Sequence, residues 1–317
     1  PLPLPRRRPA RRLAAGSPLG RQHRPALMAP GPRRLIEAVE RLVGSRVVGV
    51  QPRSGGWSVS VRGVVELADG RHLFAKLGDV PDTAAAVSAE IGVYRMLGAR
   101  PYLPKLVAAD PAIPLLVIED LGAAIWPPPW TPALLAAFDR LCEELAATTA
   151  PAALPALPET VAGEAWERVA VDPAPAGRVI APGWIERHLA ALLTAQRRAR
   201  AEGTSVVHGD LRSDNLVFSS GCAIAVDWNL ARRGDGRWNR LLAAHTIHLE
   251  GGGSLDRLAP GADSGIVTWL AGFFASRVGL PAPQGAPRVR PFQLAQLRVV
   301  LPWACSLLGL EPPSFVR

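Results

Sequence analysis

Three residues near the middle of the chain have types and spacing that could do chemistry. Asp210 lies in the run Val206-Val207-His208-Gly209-Asp210-Leu211-Arg212-Ser213-Asp214-Asn215-Leu216-Val217. Asn215 follows five residues later, and Asp227, in Ala225-Val226-Asp227-Trp228, twelve after that. Phosphoryl transfer asks little covalent work of a protein; it needs a nucleophile held in line and cations that neutralise the phosphate oxygens. Asp210 is suited to accept or orient the proton of an attacking hydroxyl. Asn215 offers a neutral carbonyl oxygen and Asp227 a charged one, both hard ligands for Mg²⁺. Taken singly, each is equally a solvated side chain in a polar loop; the constellation between apolar runs favours the catalytic reading.

The flanking residues say how these groups converge. Leu216-Val217-Phe218 reads as a short buried strand, Gly221 permits a tight turn, and Ala223 to Val226 reads as the returning strand. The three polar groups then meet at one end of a small hairpin.

His208-Gly209-Asp210, Asn215 and Asp227-Trp228 together resemble the aminoglycoside phosphotransferase and choline kinase superfamily. The resemblance covers roughly residues 32–310, with specific motifs at 208–215 and 227–228. It implies an α+β, bilobal protein-kinase-like fold, with a small antiparallel-sheet lobe and a larger, mainly helical lobe. It implies ATP and Mg²⁺ as cofactors and a small-molecule acceptor, an aminoglycoside or another hydroxylated metabolite. By the same resemblance Lys76 contacts the α- and β-phosphates and Glu90 holds Lys76. Backbone N–H groups around Gly55 and Gly56 would cover the phosphates, although Gly55-Gly56 departs from the G-x-G-x-x-G of protein kinases. Glu119 and Leu121, at the inter-lobe hinge, would meet the adenine edge through their main chains. The implied division is a basic tail over 1–27, a nucleotide-binding lobe over 28–121 and a catalytic and acceptor-binding lobe over 122–317.

Some positions depart from the pattern. Gly209 stands where protein kinases carry Arg, and Trp228-Asn229 where they carry Phe-Gly. Asn239 replaces a structural Asp, Arg212 a common His and Ser213 a common Pro. Asn can cap and hydrogen-bond but carries no charge. These departures support a second reading, a nucleotide-binding pseudoenzyme that acts as an interaction module.

The elements that must position the site follow from periodicity. Arg34 to Val43 reads as an amphipathic helix with Leu35, Val39 and Leu42 on one face. Strands are expected over Val47 to Val50, Val59 to Leu67 and His72 to Leu77, with an Asp69-Gly70 hairpin between the last two. A helix over Thr83 to Leu97, capped by Asp82 or Thr83, buries Val87, Ile91 and Tyr94, and Leu115 to Ile118 is a strand. Further helices are expected at 132–147, 184–200, 238–249, 264–278 and 291–308, the last broken at Pro302. Residues 150–158 read as a Pro/Ala linker.

Composition bounds the rest. A chain of 317 residues, 48% hydrophobic and 20% charged, suits two lobes with cores of their own. Cys142, Cys222 and Cys305 are widely spaced and fit a reducing, cytoplasmic setting, and no run of apolar residues is long enough to span a membrane. The net charge of +9 is mostly a tail property: residues 1–27 hold seven Arg and no acid, leaving +2 for 28–317. The tail reads as disordered or as an upstream-start artefact ahead of Met28, and only it supports nucleic-acid binding. The 36 basic residues include just two lysines, Lys76 and Lys105, so a retained Lys76 stands out as a compact ammonium. Residues 123–205 hold nine acids against seven Arg, and 241–317 four acids against six, so no polycation pocket is evident. His245 and His248 lack the further ligands of a metal site.

Overall fold

The computed structural model describes residues 30–53 and 60–316. The expectations for residues 1–27 and for Gly55 and Gly56 lie outside the described residues. The chain runs α1 (Pro30–Val43), β1 (Val47–Pro52), β2 (Val61–Leu67), β3 (His72–Leu77), α2 (Pro81–Leu97), β4 (Leu106–Asp110) and β5 (Leu115–Glu119). Then come α3 (Pro132–Ala147), the short α4 (Leu157–Val161), α5 (Trp166–Val171) and α6 (Ala174–Gly177), and α7 (Trp184–Gln196). Next are β6 (Ser205–Val207), β7 (Leu216–Ser219), β8 (Cys222–Ala225) and β9 (Arg232–Gly234). Helices α8 (Arg237–Leu249), α9 (Leu255–Leu258), α10 (Ser264–Val278) and α11 (Val289–Leu308) complete it.

The first five strands form one antiparallel sheet in the order β1-β2-β3-β5-β4. Strand alternation assigns its two faces. Leu115 and Val117 of β5 join Leu35 and Val39 of α1 in one core, while Leu116 and Ile118 join Val87, Ile91 and Tyr94 of α2 in the other. On β3, Ala75 and Leu77 belong to the α1 side, so Lys76 projects to the α2 side. The second core continues without interruption into the helical lobe, through Phe138, Trp166, Trp228 and Trp238.

The Asp69-Gly70 turn forms as expected, Gly70 donating to the Leu67 carbonyl at 2.9 Å. Helix α2 begins earlier than expected, at Pro81. Thr83 does not cap it from outside: it lies inside the first turn, and its hydroxyl accepts from the N–H of Asp79 and Val80 at 3.2 Å. Strand β4 was not expected, because Ala108-Ala109 carry little strand preference; pairing with β5 supplies the order. The break at Pro302 does not occur. Helix α11 runs through it, with Val300, Leu301, Trp303, Ala304 and Cys305 buried around it, so packing outweighs one missing N–H.

Candidate active site

Lys76 is 5% exposed and Glu90 2% exposed, and Lys76 Nζ lies 2.8 Å from Glu90 Oε2. The same ammonium forms an ion pair with Asp227 Oδ1. The other Glu90 oxygen accepts the backbone N–H of Trp228 at 3.2 Å. One glutamate on α2 therefore fixes both the β3 lysine and the backbone that carries Asp227. Burial works against the ammonium, but the two carboxylates outweigh it and raise the pKa of Lys76. Burial likewise pushes Glu90 up against the pull of Lys76. Burial would also raise Asp227, but Lys76, with Arg62 and Arg212 further off, holds it below the ordinary carboxylate value. Arg62 pairs in register with Lys76 on the neighbouring strand β2, a second cation that the motifs did not reveal.

Asp227 sits at φ 69°, ψ 58°, left-handed backbone that Asp tolerates better than most residues. Trp228 anchors this bend. It is fully buried, its indole N–H donates to the Ala225 carbonyl at 2.7 Å, and its ring packs against His208 and Tyr102. The hairpin beneath is the one expected, with Ser220 and Gly221 both at positive φ in a two-residue turn between β7 and β8.

Asp210 and Asn215 meet in the loop that leads into this hairpin. Asn215 Nδ2 donates to the Asp210 carbonyl at 2.8 Å and approaches Asp210 Oδ2 at 3.3 Å, which leaves the amide oxygen free to face a cation. Arg212 Nη2 lies 3.3 Å from the same Oδ2 and its Nε 3.1 Å from Asp214. Asp210 Oδ1 therefore remains the oxygen available to a substrate proton. Burial raises the Asp210 pKa to about 6, with Arg212 pulling it the other way. His208 is fully buried and pushed down to about 4 by that burial, so it is neutral near pH 7. Its Nε2 hydrogen bonds to the Val226 carbonyl at 3.0 Å, and its Nδ1 accepts the Asp210 N–H at 3.3 Å.

Gly209 explains why no arginine follows His208. At φ +80° its Cβ would fall 2.0 Å from the Leu230 carbonyl oxygen. Gly209→Ala is expected to destabilise the protein by about 2 kcal/mol or more, read as a fall in the thermal midpoint.

Asn239 does the work expected of a structural aspartate by a different arrangement. Its Oδ1 accepts the His208 N–H at 2.8 Å and its Nδ2 donates to the Val206 carbonyl at 2.8 Å, both in a fully buried setting. An aspartate could not make the second bond. Asn239→Leu strands both groups, and a loss of about 2–4 kcal/mol in chemical denaturation is expected. The departure thus keeps the loop that begins at His208 anchored.

At the hinge, the Glu119 N–H donates to the Lys105 carbonyl at 3.0 Å, and the Glu119 side chain accepts the Lys105 N–H at 2.7 Å. The Leu121 carbonyl accepts from Ala124 N–H and Trp126 Nε1, each at 3.1 Å. The groups left to meet a ligand are the carbonyl of Glu119 and the N–H of Leu121. His245 is a core residue, bonded to Gln296 at 2.9 Å, and His248 bonds the Gly253 carbonyl at 2.8 Å. A cavity of about 430 Å³ opens beside Asp210, walled largely by α8, α10 and α11.

A small antiparallel-sheet lobe joined to a larger helical lobe, with a buried lysine–glutamate pair facing a catalytic-type hairpin, defines a protein-kinase-like fold. The sequence model of the phosphotransferase enzyme family matches residues 49–236, and the chain belongs to that family. Solved structures agree on the fold. Choline kinase LicA from Streptococcus pneumoniae superposes with a TM-score of 0.58 at 13% identity, covering 87% of this chain and 99% of that one. A thermostable mutant of aminoglycoside phosphotransferase APH(4)-Ia, in ternary complex with ADP and hygromycin B, gives 0.57 at 14% identity, covering 83% and 96%. A choline/ethanolamine kinase family protein from Mesorhizobium loti gives 0.53 at 14% identity, covering 82% and 91%. No protein of curated function matches the sequence. Among the described residues, no helix is long and apolar enough to cross a membrane.

Proposed function

We propose that this protein transfers the γ-phosphate of ATP to a hydroxyl of a small molecule, with Asp210 as the base. The observation that carries this reading is the convergence of Lys76, Glu90 and Asp227 in one buried ion-paired cluster, with Asp210 and Asn215 bonded to each other in the loop that enters the β7–β8 hairpin. Lys76 and Arg62 supply positive charge for the phosphates. The Glu119 carbonyl and the Leu121 N–H match the amino donor and ring-nitrogen acceptor of adenine.

The donor set fits Mg²⁺. Among the described residues there is no cluster of three His, Cys, Asp or Glu, which is unlike an all-protein metal cage. Mg²⁺ instead commonly takes one or two protein oxygens together with substrate phosphates. Asn215 Oδ1 and Asp227 Oδ2 are the oxygens that would hold it, and the ion would neutralise charge on the phosphate oxygens.

The acceptor oxygen bonds to the γ-phosphorus as the bond from phosphorus to the bridging oxygen breaks. ADP leaves, and the hydroxyl proton passes to Asp210 Oδ1. Asn215 and Arg212, both on Oδ2, keep that carboxylate oriented. The base must be deprotonated, so activity falls as pH drops through about 6. Arg212 favours the ionised form; Arg212→Ala is expected to move the acid limb of the kcat/KM profile to higher pH. An unmoved limb would show that Asp210 is not the titrating base.

Calorimetric titration with ATP tests the nucleotide site. Binding should require the folded chain, strengthen with Mg²⁺ and lose that metal dependence in Asp227→Ala. Absence of nucleotide binding would overturn the reading.

A further inference from the structure

The cavity beside Asp210 has a chemical character that narrows the acceptor. Its volume of about 430 Å³ lies in the range of small-molecule sites. Trp238, Trp269, Phe273, Phe274 and Phe292 form much of its wall, surfaces suited to a planar or apolar body. Its charged lining consists of Asp210 and Glu164 against Arg212, Arg232 and Arg277.

The three arginines differ in how they are compensated. Arg212 is paired with Asp210 and Asp214. Arg277 Nη2 lies 2.5 Å from Glu164, and its guanidinium sits 3.9 Å over the Phe273 ring. Arg232 donates only to neutral oxygens, Nε to Thr160 Oγ1 at 2.9 Å and Nη1 to the Ala231 carbonyl at 2.9 Å. Burial lowers its pKa with no carboxylate offsetting it. A partly exposed guanidinium with no carboxylate partner, at the wall of an aromatic cavity, is the cation of the lining best placed to take a ligand anion.

We propose that this cavity is the acceptor site and that it takes a hydroxyl-bearing molecule with a planar apolar body and one carboxylate, which pairs with Arg232. This rests on the phosphotransferase reading, which places the acceptor hydroxyl at Asp210. One unpaired guanidinium matches a monoanion, and its planar fork suits a carboxylate. A polycation is disfavoured, because both acidic groups of the lining already face arginines.

The test uses the intact chain and three probes that differ in one group: 6-(hydroxymethyl)-2-naphthoate, its carboxamide and its aminomethyl counterpart. Each is titrated calorimetrically into the wild type, Arg232→Gln and Arg232→Lys, with ATP·Mg²⁺ titrated into the same preparations. The carboxylate should bind the wild type roughly tenfold or more tightly than the other two probes. That preference should vanish in Arg232→Gln and return in part in Arg232→Lys. Equal binding of all three, tightest binding of the amine, binding of none, or a preference that survives Arg232→Gln would each overturn the inference. If any of these occurs while ATP·Mg²⁺ binds, only the acceptor assignment fails; if ATP·Mg²⁺ does not bind, the phosphotransferase reading fails with it.

Discussion

Asp210→Asn is expected to lower kcat for phosphate transfer by about 10²–10⁴-fold, with little change in nucleotide affinity. The substitution keeps the size and planarity of the side chain. Oδ2 contacts the Asn215 amide and the Arg212 guanidinium, and the amide oxygen of the variant can take that place. What is lost is the acceptor at Oδ1, where an NH₂ group would face the substrate hydroxyl. A fall in kcat with the ATP dissociation constant unchanged separates a lost base from a damaged fold. Comparable loss of ATP binding would mean that Asp210 shapes the nucleotide site instead.

Lys76→Met should remove most activity and also destabilise the protein by about 3–5 kcal/mol. Lys76 compensates two carboxylates at once, and Glu90 is 2% exposed. Without the ammonium, burial raises the Glu90 pKa further and the folded state holds a proton that the unfolded chain releases. Stability then falls as pH rises through that interval and recovers as pH falls toward the ordinary carboxylate value. The thermal midpoint of the variant should therefore be higher at pH 5 than at pH 8. The double variant Lys76→Met/Glu90→Gln should recover stability without recovering activity. A single variant as stable as the wild type at both pH values would show that the buried pair does not bear on folding.

The site was legible in the sequence where its parts lie close along the chain. Asp210 and Asn215 precede the β7–β8 hairpin and Asp227 follows it, so a short span of chain brings all three to its open end. Lys76 could be found because the element order around it resembles the small lobe of the family and because lysine is scarce. What was not legible depends on contacts distant in sequence. The Arg212–Asp210 pair is set by the shape of the catalytic loop, and the two hydrogen bonds of Asn239 reach back 31 and 33 residues. The acceptor cavity joins Thr160, Arg232, Phe273 and Phe292, and no local pattern relates these positions. The same holds for the fold: the long helices are periodic, whereas α4 to α6, β4 and β9 are short segments ordered by their neighbours.

The most direct test is ADP formation from ATP·Mg²⁺ in the presence of hydroxylated acceptors spanning aminoglycosides, amino alcohols, sugars, nucleosides and hydroxy acids, with the wild type beside Asp210→Asn. The expected result is ADP release that rises with at least one acceptor class, matches phosphorylated product in amount and drops at least about a hundredfold in the variant. ADP formation that is the same in both proteins, or no ADP formation with any acceptor and no ATP binding, would contradict a phosphotransferase built on Asp210.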